Sequence, residues 1–101
     1  MDTRVLKIDI DLKHEYEEKF QLLQLFIETR KELLKIMGHE VKKITVKEST
    51  HGYHIWVQLK ESITVTEAIK LQFLLGDDIK RCNFNFMRLQ AGEEEALKYN
   101  I

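Results

Sequence analysis

Leu6, Ile8, Ile10 and Leu12 alternate with Lys7, Asp9 and Asp11 near the start of the chain. A period of two sends successive side chains to opposite faces of a pleated strand, so Val5 to Leu12 reads as a strand buried on one face. From about His14 to Met37 the period lengthens. Tyr16, Phe20, Leu23, Ile27, Leu34 and Met37 fall on one helical face, and Gly38 stands where a C-terminal cap is expected, predicting an amphipathic helix of about six turns. Leu22, Leu25, Phe26, Leu33 and Ile36 widen its apolar stripe beyond what one sheet face would cover, which predicts a second partner surface, most simply a homodimer contact.

Val41 to Glu48 alternates again. Ser49-Thr50-His51-Gly52 makes a turn into Tyr53 to Leu59, and the two strands should form a hairpin. Thr64-Val65-Thr66-Glu67 has capping-box spacing and opens a shorter apolar helix that ends at Gly76. After the Gly76-Asp77-Asp78 loop, Arg81 to Leu89 alternates through Cys82, Phe84 and Phe86, predicting a fourth strand, and residues 93–101 read as a short helical or flexible tail. The expected architecture is therefore one α+β domain over residues 1–101 with the ferredoxin-like order βαββαβ. Its four-stranded antiparallel sheet has strand order 4-1-3-2, with two helices on one face.

In that arrangement the first and third strands are neighbours and one sheet face is open to solvent. Alternation puts Asp9 and Asp11 on the open face together with His54 and Trp56. Asn83 and Asn85 are expected to approach from the fourth strand, and Lys43, Thr45 and Lys47 from the second. Two aspartates spaced by two on a strand suit a hard divalent cation such as Mg²⁺ or Mn²⁺, and a nearby histidine suits a nitrogen ligand or a phosphate contact. Any antiparallel sheet with one wet face also displays polar side chains at such positions. Trp56 adds a different signal, because a tryptophan in mid-sheet asks for a base, a partner strand or a dimer mate to cover it.

Composition narrows the classes. At 101 residues, 44% hydrophobic and 33% charged, the chain matches one globular domain, and no stretch approaches the roughly 20 apolar residues of a membrane span. MDTRVLKIDI has neither the apolar core nor the cleavage site of a signal peptide, so a cytoplasmic location is expected. The single cysteine, Cys82, excludes an internal disulfide and a multi-cysteine zinc site. A net charge of −1 gives no global attraction to nucleic acid, so such binding would need a local patch. The absence of proline beside many Lys, Glu and Ile gives a composition like that of thermophilic proteins. His14, His39 and His51 show no metal-finger spacing and are expected as surface residues, and Asp77 and Asp78 as a turn or cap.

An Asp-x-Asp strand (Asp9, Asp11) is followed by a Ser/Thr-x-Gly-x-His strand entry (Thr50, Gly52 and His54 within STHGYHIW), then by a last core segment preceded by GDDIKR. Over roughly residues 6 to 88 this order resembles the catalytic core of archaeo-eukaryotic primase-like proteins. The resemblance implies a modified RNA-recognition-motif fold, metal binding by the aspartate pair with a third acidic residue, and contact of the histidine with a nucleotide. The chain departs from that pattern by carrying Asn83 and Asn85 where the third acidic residue should stand, and by its shorter length. The resemblance is thus to a minimal or inactive relative, of the kind encoded by archaeal plasmids and viruses.

Two readings follow. The first is a small module without catalytic activity that binds single-stranded nucleic acid or a nucleotide through His54, Trp56, Lys43, Lys47, Lys80, Arg81, Asn83 and Asn85, with Asp9 and Asp11 as metal ligands. The alternative is a homo-oligomerisation or protein-interaction module with no ligand. A metal-dependent phosphoryl-transfer enzyme would need a further carboxylate beside Asp9 and Asp11, which Asp77 or Asp78 would have to supply.

Overall fold

A computed structural model describes residues 1–12 and 17–100. The elements run β1 (Asp2–Asp11), α1 (Lys19–Ile36), β2 (Val41–Glu48), β3 (Gly52–Thr64), α2 (Val65–Leu74), α3 (Ile79–Ala91) and α4 (Glu93–Asn100). His14 and Tyr16, expected in the first turn of the long helix, lie outside the described residues. Thr64 is the N-cap the sequence offered, since its side chain accepts the Glu67 amide at 3.1 Å and opens α2.

The three strands form one antiparallel sheet of order β1-β3-β2 among the described residues. This corrects the expected ferredoxin-like sheet of order 4-1-3-2 with two helices: the α+β class stands, but the described residues form three strands and four helices. The hairpin and the pairing of the first strand with the third are as expected.

The segment expected as strand four is α3, and its burial shows which period prevailed. Cys82 and Asn85 are buried and Phe86 and Leu89 half-buried, at helical spacing, whereas Phe84 and Met87 are exposed. The alternation of Cys82, Phe84 and Phe86 was a coincidence within a helical pattern. Asp78 nucleates the helix, its Oδ1 accepting the amides of Lys80 at 2.9 Å and Arg81 at 3.2 Å. Lys, Arg, Met, Leu, Gln and Ala in the segment also favour a helix over a strand.

Loss of the fourth strand leaves β1 at the edge of the sheet, where its outward backbone groups need other partners. Side chains and one backbone amide supply them. The Lys7 amide donates to Gln72 Oε1 at 2.9 Å, and the Arg81 Nη2 donates to the Lys7 carbonyl at 3.0 Å. The Asp9 amide donates to Asp77 Oδ1 at 2.7 Å, and the Asp78 amide to the Asp9 carbonyl at 2.9 Å. Gln72 and Asp77 are accordingly buried although polar.

α1 and α2 cover one sheet face. Leu6, Ile8, Ile55, Val57 and Leu59 pack there against Leu34 of α1 and Ala68, Leu71 and Leu75 of α2. Val65 and Ile69, together with Ala96 of α4, form a second cluster that takes in Phe86 and Leu89 of α3. The helices α3 and α4 thus consolidate α2 instead of covering the opposite sheet face.

Candidate functional site

The uncovered face is built by register. Because side chains alternate along each strand, the residues not facing the helices line up in transverse rows: Asp9, His54 and Lys47; Lys7, Trp56 and Thr45; and Val5, Gln58 and Lys43. The expectation that His54 and Trp56 share a face with Asp9, Lys43 and Lys47 is met. Asp11 lies at the end of β1, exposed and opposite Gly52.

Trp56 occupies the centre. The Lys7 ammonium lies 5.9 Å from its ring centroid, within cation–π range, and the His54 ring is tilted at 50° with its centroid 5.9 Å away. Lys43 and Lys47 are exposed on the β2 side and have no ion-pair partner among the described residues. The β1 side is mixed, with Lys7 at its middle and Asp9 and Asp11 toward its end.

Asp9 is already committed. His54 Nδ1 lies 2.5 Å from its Oδ1, and Arg81 Nε lies 3.6 Å from its Oδ2. Arg81 is held in turn by Asp77, with Nε 3.0 Å from Oδ2. Burial pushes the Asp77 carboxyl above its ordinary value, while the Asp9 amide and the Arg81 guanidinium hold it back. Asp77 therefore does reach the first aspartate, but its carboxylate is sealed and spoken for by an arginine and the backbone amides of Asp9 and Asp78.

This donor set does not fit the divalent cation that the sequence suggested. The Arg81 guanidinium stands beside Asp9 where a second cation would be repelled, and among the described residues no three His, Cys, Asp or Glu side chains are gathered to hold a metal ion. Asp9 instead orients His54, leaving the rest of the imidazole toward the open face.

Of the remaining predicted residues, Lys80, Asn83 and Asn85 are not brought to the site. Lys80 is exposed at the start of α3. Asn83 and Asn85 belong to a helix and not to a fourth strand, so their spacing by two turns them about 200° apart. Asn83 is exposed and Asn85 fully buried, neither on the sheet face. Arg81 is near, but as a structural clamp on Asp77 and the Lys7 carbonyl. Cys82 is buried, and desolvation pushes its thiol up to about 11, so it stays protonated near neutrality.

Sequence reasoning undervalued Lys7, Gln72 and Asp77. Lys7 was legible from its phase in the first strand. Gln72 had a fainter signal, as the one polar residue in the run Leu71-Gln72-Phe73-Leu74-Leu75.

A protein of Sulfolobus islandicus filamentous virus (isolate Iceland/Hveragerdi), named Uncharacterized protein 30, is 35% identical to this chain over 100 residues. The match takes in 97% of this chain and 36% of the viral protein, so the chain spans about a third of that relative's length. The chain is thereby related to a protein of an archaeal virus. No family model and no solved structure matches it. No helix among the described residues is long and apolar enough to cross a membrane.

Proposed function

We propose that the open sheet face binds single-stranded nucleic acid, a base stacking on Trp56 while Lys43, Lys47 and Lys7 meet the phosphates. The observation that carries this reading is the placement of Trp56 at the centre of a wet face between two strands that present lysines. Stacking on an aromatic ring tolerates any base, and a lysine row tracks the backbone without reading sequence. His54, fixed by Asp9, supplies a directed hydrogen-bonding group beside the stacked base or its phosphate. This contact joins two of the residues that carry the primase-like resemblance, and it supports nucleotide contact without two-metal chemistry.

Trp56 is the only tryptophan, so its emission reports the site directly. Titration with a short single-stranded oligonucleotide should quench it saturably. Trp56→Ala, followed by fluorescence anisotropy of labelled oligonucleotide, should weaken binding by about 1–3 kcal/mol. Emission that ignores both oligonucleotide and nucleoside triphosphate would exclude the proposal.

A second reading, self-association, is favoured by α1, where Phe20, Leu25 and Ile36 are each more than 60% exposed. Sedimentation of the chain over a wide concentration range tests it. A mass that stays at one chain would remove it.

A further inference from the structure

The two edges of the sheet are treated differently. The outward amides and carbonyls of Lys7 and Asp9 on β1 are all taken by Gln72, Asp77, Asp78 and Arg81. Among the described residues nothing comparable covers β2. The Ser49 amide donates to the Gly52 carbonyl at 2.8 Å, and counting back from that bonded pair makes Lys47 with His54, and Thr45 with Trp56, the directly bonded pairs of the ladder. The backbone groups of Ile44 and Val46 therefore aim away from β3, and they have no partner among the described residues.

The side chains of β2 state what could fill that edge. Ile44 and Val46 share the helix side of the sheet, where Val46 is 38% exposed, and Lys43, Thr45 and Lys47 stand on the wet side. A strand added beside them would place its own side chains in the same two files. One file would meet isoleucine and valine and the other would meet two lysines that have no ion-pair partner among the described residues.

A second copy of β2 brings no carboxylate to the wet file, where it presents only Lys43, Thr45 and Lys47. A two-fold antiparallel pairing centred on Thr45 sets Lys43 of one copy opposite Lys47 of the other, and like charges directly opposite are destabilising. Charge complementarity favours carboxylates.

We infer that the outer edge of β2 accepts an extended segment of a partner protein as an added strand, one in which apolar residues alternate with Asp or Glu. Backbone hydrogen bonds to Ile44 and Val46 hold the segment, and its carboxylates facing Lys43 and Lys47 select it. The inference does not depend on nucleic-acid binding, since it rests on the strand edge and not on Trp56.

The test uses the intact chain and a synthetic peptide of about eight residues alternating valine and glutamate, with the valine–lysine version as control. Amide exchange followed by NMR should slow at Ile44 and Val46 by about tenfold or more as the glutamate peptide saturates, and not with the lysine peptide. Val46→Pro removes an outward N–H that the ladder with β3 does not use, and should abolish the effect. Should that variant fail to fold, the double variant Lys43→Glu, Lys47→Glu decides, because it should exchange the preference from the glutamate to the lysine peptide. Equal slowing by both peptides, or unchanged exchange at Ile44 and Val46 with the glutamate peptide, overturns the inference, whatever oligonucleotides do to Trp56 emission.

Discussion

At the scale of single residues, Gly52 shows how a motif position can be architectural. A Cβ built on it would lie 1.9 Å from the Ile10 carbonyl oxygen, because β1 crosses the start of β3 at close range. Gly52→Ala should therefore lower the unfolding free energy by about 1–3 kcal/mol in urea titration, as overpacking does, even without any ligand. Asp77 makes a pH-dependent prediction. Its folded value is raised above the ordinary 3.8, so the folded chain takes up this proton before the unfolded chain does as pH falls from neutral. Its contribution is least favourable above the raised value and improves on the way down to 3.8. The stability of the natural chain relative to Asp77→Asn should accordingly rise as the medium is acidified across that range, measured by urea midpoints. His54 and Trp56 were legible from alternation alone. The partner of His54 was not, because the pairing of Asp9 with position 54 depends on strand register, which two separated segments do not state.

At the scale of elements, the third helix decided the fold. Arg81 to Leu89 fits a period of two and a period of 3.6 almost equally well, and a short apolar run cannot arbitrate between them. The deciding signal was local and lay just upstream, in Asp78 placed to cap the Lys80 and Arg81 amides. Asp78→Ala should cost about 0.5–2 kcal/mol, read from denaturant midpoints, with loss of helical circular dichroism from α3. Substituting Gln72 with leucine tests the other role of this region. Without the Gln72 oxygen, the Lys7 amide at the β1 edge should exchange faster, while amides in the β2–β3 ladder keep their protection.

At the scale of the whole molecule, charge is distributed more tellingly than its sum. A net of −1 hides a wet sheet face whose β2 side carries Lys43 and Lys47 and whose β1 side is mixed, with Lys7 beside Trp56 and Asp9 paired with Arg81. Oligonucleotide affinity should fall with salt, and the double variant Lys43→Glu, Lys47→Glu should flatten the slope of log affinity against log salt by about 1.4, at roughly 0.7 per contact. An unchanged slope would place the phosphates elsewhere. What the sequence determined by itself was local: the strand and helix periods up to Leu75, the hairpin, the Thr64 cap and the face on which Trp56 and His54 lie, all properties of neighbours along the chain. What tertiary structure decided was everything that joins distant segments. The seal of Gln72, Asp77 and Arg81 on β1 took the place of a fourth strand. Arg81 came to stand beside Asp9, the aspartate the sequence offered to a cation, and β2 was left as the unpaired edge. Hydrogen-bond satisfaction at a sheet edge is a three-dimensional account, and no periodicity in a single chain records which side chain will close it.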